Sequence, residues 1–135
     1  MNLEWAKEWV GNWSPAGVDK VVAAYADDAV FHDMPTGHTL KGKDAISKMW
    51  MGMKDNPAAG EHTFFVTGYC GGPEGGTIEW TWKIKHAADF LGVPAKGKET
   101  LVSGASLLIF KNGKIAEQHE YWDMATVLRQ LGAIK

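Results

Sequence analysis

Apolar residues recur at helical spacing in the first third of the chain and at alternate positions in the remainder, so helices come first and strands follow. Leu3, Trp5, Trp9 and Trp13, with Glu4, Lys7 and Glu8 between them, read as an amphipathic helix ending near Gly11. Beyond Ser14-Pro15, a second helical stripe of Val18, Val21, Val22 and Tyr25 runs up to Ala26-Asp27-Asp28. The segment 29–37 then turns extended and breaks at Pro35 and Gly37. A third stripe places Ile46, Met49, Trp50 and Met53 on one helical face and stops at Asn56-Pro57. From His62 onward, β-rich runs over 62–70, 77–90, 99–110 and 114–122 are separated by Gly-Gly-Pro-Glu-Gly-Gly, Gly-Val-Pro-Ala-Lys-Gly and Lys-Asn-Gly-Lys. The last of these is the best hairpin signal. Asp123 is placed as the N-cap of a short terminal helix through Leu128 and Leu131, with Gly132 at its end.

Helices followed by a strand-rich half, without β-α-β alternation, define an α+β class with an antiparallel-dominated sheet that curls over the helices. A chain of 135 residues with no internal repeat, linker or low-complexity stretch is expected to form one domain over 1–135. A hydrophobic fraction of 45% and a charged fraction of 22% exclude disorder and fibrous classes. Net charge is −2 and no Lys or Arg run occurs, so neither nucleic acid nor an anionic membrane is an expected partner. A small, mostly uncharged ligand is expected instead. The lone Cys70 cannot form an intrachain disulfide, and a reducing cytoplasm fits. The first thirteen residues alternate apolar and charged positions, and no segment approaches about 18 unbroken apolar residues, so neither secretion nor membrane spanning is expected. Composition adds one distinctive feature, seven tryptophans. Several of them should line a cavity or an interface, because an indole N–H needs a partner.

Strand parity defines the walls of such a cavity. The run 115–123 divides into Ile115, Glu117, His119 and Tyr121 on one face and Ala116, Gln118, Glu120 and Trp122 on the other, and period alone leaves open which is inward. In the preceding strand Ser106, Leu108 and Phe110 share a face opposite Leu107 and Ile109, so both faces are apolar and the sheet should be covered twice. Trp80, Trp82 and Ile84 form a face to be buried, opposite Glu79, Thr81, Lys83 and Lys85. Two carboxylates have chemical interest: Asp33, just before a Pro turn, and Glu120, between aromatic neighbours that raise a carboxyl pKa by desolvation. Each also has a plain reading, Asp33 as a solvated turn residue and Glu120 as a charge on an exposed edge. Asp123 is explained fully as a helix cap.

His32, His38, His62, His86 and His119 lie in four segments with no pair at helical ligand spacing, so proton shuttles or core residues are expected rather than a metal site. There is no G-x-S-x-G or Cys/His nucleophile signature. Gly-Gly-Pro-Glu-Gly-Gly lacks the Lys-Ser/Thr ending of a phosphate loop.

The string Tyr-Ala-Asp-Asp-Ala-Val-Phe-His-Asp-Met-Pro-Thr-Gly over 25–37, followed by Leu-Lys-Gly-Lys-Asp-Ala-Ile over 40–46, resembles a signature of the NTF2-like superfamily, which includes ketosteroid isomerases. The strings 86–98, 110–123 and Leu128–Gly132 narrow the resemblance to the SnoaL-like polyketide cyclases over nearly the whole chain. The resemblance implies a cone (a cystatin-like roll) in which a strongly curved sheet wraps one long and two shorter helices, commonly dimeric through the sheet's outer face. By this likeness Glu120 stands where the cyclases carry an acid/base Asp, which puts Gln118, Glu120 and Trp122 inside. Asp33 stands where the isomerases carry their general base. Trp9 and Ser106 replace the isomerases' paired oxyanion donors, a Tyr and a protonated Asp, so that electrostatic device is missing.

The expected function is therefore a cofactor-free and metal-free acid/base enzyme, cyclase- or isomerase-like, acting on a small apolar carbonyl compound. Asp33 and Glu120 would transfer protons, and Trp9, Tyr25, Trp50, Trp80, Trp82, Ser106, Leu108, Gln118 and Trp122 would bind substrate. A homodimer through the outer sheet face is the implied partner. The rival reading is a non-enzymatic binding module for a hydrophobic ligand. Hydrolysis of the epoxide-hydrolase type needs an Asp–Arg–Asp set inside the cone, and the only arginine is Arg129 on the terminal helix.

Overall fold

Asn2 starts the first helix, α1 (Leu3–Gly11), by accepting the Trp5 N–H on its side-chain oxygen at 2.9 Å. The computed structural model describes residues 1–55 and 60–135, the side chains of 53–55 apart, so Met53 and the stop at Asn56-Pro57 lie outside the described residues. In α1 the buried residues are Ala6, Trp9 and Val10, whereas Leu3 is 41% exposed and Trp13 lies beyond the helix. Only five residues, Val18–Val22, form α2. The helical stripe expected to reach Asp28 ends early because Tyr25 already opens strand β1 (Tyr25–Asp33). That strand is anchored by the Ile115 N–H to Ala24 oxygen bond, a tertiary pairing that local spacing does not contain.

After β1 come β2 (His38–Lys41), α3 (Lys43–Asp55), β3 (Gly60–Gly72), β4 (Gly75–His86), β5 (Glu99–Lys111), β6 (Lys114–Trp122) and α4 (Met124–Gln130). The six strands form one curved sheet in the order β2-β1-β6-β5-β4-β3, antiparallel except for the β1–β6 pair. At the β5–β6 turn, Asn112 and Gly113 both take positive φ, 54° and 74°, as a two-residue hairpin of primed type requires. Asp123 caps α4 by accepting the Thr126 N–H at 3.0 Å, and Gly132 follows the helix at φ 81°. The Gln130 side chain then pairs with both backbone groups of Leu101 at 2.8 Å, occupying the stretch of β5 that β6 does not reach and seating α4 on the sheet.

The strand-parity expectation needs one correction. A bulge between Ile109 and Phe110 on β5 lets β6 gain a residue, since Ile109 pairs with Glu117 but Phe110 pairs with Ile115. Ile115 and Gln118 therefore both point inward and are fully buried, although strict alternation puts them on opposite faces. Glu120 is not on an edge, because β6 lies between β1 and β5. On the outer face the apolar side chains Phe65, Leu101, Leu107, Ile109 and Tyr121 are exposed, so among the described residues the sheet is covered on its concave side only.

The tryptophans run through the interior as a continuous contact path. Trp5 stacks on Trp9 at 5.4 Å, Trp9 meets Trp13 at 5.2 Å, Trp13 meets Trp80 at 6.1 Å, Trp80 meets Trp82 at 6.5 Å and Trp82 meets Trp122 at 5.4 Å. Trp50 joins at Trp13. Offset and edge contacts of this kind add to the burial of large apolar faces.

Candidate active site

The concave face of the sheet and α3 enclose a cavity of about 980 Å³. Its walls are mainly apolar and rich in Trp and Phe rings, and Asp33, Lys48, Gln118 and Glu120 are among its polar groups. Parallel pairing of β1 with β6 aligns Asp33 with Glu120, so both carboxylates stand side by side on the inner face. Trp50, Trp80, Trp82 and Trp122 also line the cavity, as does Trp13.

Glu120 sits at the meeting point of two donor chains. In one, Trp80 donates its indole N–H to Ser106 Oγ at 2.9 Å, and Ser106 donates to Glu120 Oε1 at 2.6 Å. In the other, Trp50 donates to the Tyr25 hydroxyl at 3.2 Å, Tyr25 donates to Gln118 Oε1, and Gln118 Nε2 donates to the same Glu120 oxygen. Among the described residues Oε2 takes no hydrogen bond, and it is the oxygen left for the cavity. The two donors favour the carboxylate, whereas burial and the nearby Asp33 charge favour the acid. Burial is the largest effect, and the Glu120 carboxyl is pushed up to about 7 from an ordinary 4.5. Burial also holds the Tyr25 hydroxyl far above its usual range, so Tyr25 is a donor and not a proton source.

Two consequences can be measured. A folded-state pKa above the unfolded one means that the native protein holds the extra proton. The stability Glu120 contributes is fully present below about pH 4.5 and lost as pH rises through about 7, on the order of 3 kcal/mol in all. Urea midpoints of wild type should fall over that window relative to those of Glu120→Gln. Parallel profiles would contradict the assignment. In Ser106→Ala one carboxylate-stabilising bond is lost, so the Glu120 pKa should rise further, by about one unit. It would be read from the carboxyl 13C shift against pH, and a lowered pKa would contradict it.

Asp33 is held differently. Its Oδ1 accepts the Trp122 indole N–H at 2.9 Å and its Oδ2 accepts the Thr36 hydroxyl at 2.5 Å. It is half-buried rather than a solvated turn residue. Thr36, three residues on in the tight turn closed by the Gly37 N–H to Asp33 oxygen bond, was not among the expected site residues. An Asp-x-x-Thr spacing before Gly is the local signal for it.

Four expected binding residues do not line the cavity. Trp9 faces away and donates to the Val21 carbonyl at 3.3 Å, so it is no oxyanion donor. Tyr25 and Ser106 lie behind Gln118 and Glu120 and reach the cavity only through them. Leu108 is packed in the core beneath the same layer. Conversely, Phe64, Phe90 and Leu91 line the cavity unanticipated. Phe90 and Leu91 belong to a tight hairpin closed by reciprocal Phe90–Val93 backbone bonds, with Leu91 and Gly92 at φ 51° and 77°. This hairpin sets Phe90 against Trp82 and Trp122.

A curved six-stranded sheet wrapped on helices, with carboxylates in the wall of an apolar cavity on its concave face, has the ketosteroid-isomerase-like fold of the NTF2-like class. The structure superposes on a hypothetical protein with the ketosteroid-isomerase-like fold from Catenulispora acidiphila, solved in complex with trimethylamine, with a TM-score of 0.76 at 21% identity over 99% of this chain and 96% of that one. The profile of the SnoaL-like polyketide cyclases matches residues 5–131, and the chain belongs to that family. Similar folds include IdmH, a candidate polyketide cyclase from Streptomyces antibioticus, with a TM-score of 0.71 at 20% identity over 89% of this chain and 90% of that one. AclR, a candidate hydroxylase from Streptomyces galilaeus, gives a TM-score of 0.75 at 19% identity over 95% of this chain and 82% of that one. Comparison with curated protein sequences finds no significant match.

Proposed function

We propose that the protein is a cyclase-like acid/base enzyme acting on a small, apolar, carbonyl-bearing compound. The observation that carries this reading is the placement of Glu120, buried in the wall of an apolar cavity beside its register partner Asp33, where burial pushes its carboxyl up to about 7. A group poised near neutral pH both accepts and returns a proton efficiently. Ionised Glu120 removes the acidic proton beside a carbonyl through Oε2. The enolate attacks a second carbonyl of the same substrate, or its double bond migrates, and the carboxyl returns the proton. Asp33, fixed by Trp122 and Thr36, is the second carboxylate of the pair, and the aromatic walls exclude water that would hydrolyse reactive intermediates. The chemistry calls for no metal or organic cofactor. A homodimer through the exposed apolar outer face is part of the same proposal, supported by Phe65, Leu101, Leu107, Ile109 and Tyr121.

The test is hydrogen–deuterium exchange at the carbon between the carbonyls of aromatic β-keto compounds in D2O, followed by NMR. Enzyme-dependent exchange is expected. Tryptophan quenching by these compounds with no exchange above background would favour the rival reading, a hydrophobic binding module, and sink the catalytic one.

A further inference from the structure

On the face of the sheet opposite the cavity, the same β1–β6 pairing that aligns Asp33 with Glu120 aligns His32 with His119. The two imidazoles stack with centroids 4.6 Å apart and planes 30° from parallel. Glu117, two residues before His119 on β6, shares that outer face and brings Oε1 to 3.6 Å from His119 Nε2. One donor atom from each of His32, Glu117 and His119 lies within 4.8 Å of the others, and all three residues are half-buried. We propose that these three side chains form a binding site for a divalent transition metal, of the zinc or copper class, which clamps the two strands carrying the carboxylates.

The donor set is two imidazoles and one carboxylate, a combination that suits zinc, nickel and copper and leaves open positions for water. Donors around a tetrahedral zinc stand about 3.4 Å apart, so the His119–Glu117 edge is already near ligand spacing, and the His32 ring must turn out of its stack on His119 to complete the set. His32 has an outer partner of the kind that orients metal-bound histidines, because its Nδ1 lies 3.0 Å from the Thr39 hydroxyl on β2. That contact holds the ring and leaves Nε2 for an ion. Ligands from two strands distant in sequence also explain why residue spacing alone contains no metal signature. The site lies on the other face from the cavity and uses neither Asp33 nor Glu120, and it shares the outer face with Leu107 and Ile109, the register partners of His119 and Glu117.

The test uses the full chain, free of affinity tag and carrying Cys70→Ser so that the exposed thiol takes no part. Isothermal titration with zinc is expected to show one ion per chain, and zinc is expected to raise the melting temperature until a chelator is added. His32→Ala and His119→Ala should each weaken zinc binding by at least about tenfold, and Glu117→Gln by a similar factor, with His38→Ala unchanged. With Cu(II), the electron paramagnetic resonance spectrum should show nitrogen coupling from two imidazoles in the parent and from one in either single variant. Circular dichroism of each variant separates loss of ligand from loss of fold. Absence of binding at about 100 μM free zinc, or undiminished affinity in folded His32→Ala/His119→Ala, would overturn the proposal.

Discussion

Glu120→Gln is expected to lower turnover of any substrate that exchanges or cyclises in the cavity by about 10²–10⁴-fold, the contribution of one positioned proton-transfer group. Gln keeps the size of Glu and can still meet the Ser106 and Gln118 donors through its carbonyl oxygen, so ligand affinity should change little, and the variant, relieved of the buried charge, should be the more stable at pH 7 and above. The effect should therefore fall on kcat with KM nearly unaltered. Asp33→Asn is expected to be deleterious as well, and the double variant should be less than multiplicatively worse, because the two carboxylates act on the same proton pathway. The pH profile of kcat/KM should bend near 7 in the wild type, where Glu120 titrates in the free enzyme. Turnover by Glu120→Gln within threefold of wild type, where about 10²-fold is required, would remove Glu120 from the mechanism.

The largest structural effect is expected at Gly104, on β5 between Trp80 of β4 and Trp122 of β6. A Cβ there would lie 2.5 Å from the edge of the Trp80 ring and 2.6 Å from the Tyr121 carbonyl oxygen. Trp80 covers this glycine because no side chain intervenes, and from that position its N–H reaches Ser106. Gly104→Ala must push the indole aside or spread β5 from β6, and an overpacked core site of this kind costs about 3 kcal/mol. Displacing Trp80 also deprives Ser106 of its donor, one step from Glu120. A lowered urea midpoint together with a changed Glu120 titration is the expected pair of readouts. Stability within about 0.5 kcal/mol of wild type would show that the ring moves freely and does not hold Ser106 in place.

Much of this architecture was legible along the chain because it depends on local rules. The primed turn at Asn112-Gly113, the Asp123 cap and the Trp80/Ile84 face follow from turn chemistry, capping and period two, which act over a few residues. Local reasoning failed where a distant partner decided the outcome. Tyr25 continues an apolar helical stripe yet begins a strand, because β6 offers a parallel edge to it. Ile115 breaks alternation because the bulge opposite Phe110 adds a residue to β6. Trp9 resembles a donor on a helix facing the cavity, but its indole finds the Val21 carbonyl inside the helical layer.

Legible in the chain were the succession of helices and then a strand-rich half, the α+β class, the abundance of indoles for a cavity wall, and the two carboxylates of chemical interest, whereas β2 was not. Strand period and family resemblance sufficed for these because both are properties of residues read in order. Which polar groups meet depends on the folded chain. It set Tyr25 and Ser106 behind Gln118 and Glu120 rather than in the cavity, and it brought Thr36 and Trp122 onto Asp33. It also paired His32 with His119 across eighty-seven positions of sequence. A carboxyl pKa or a ligand set depends on atoms within a few ångströms, and in a sheet closed by one parallel pair those atoms come from opposite ends of the chain.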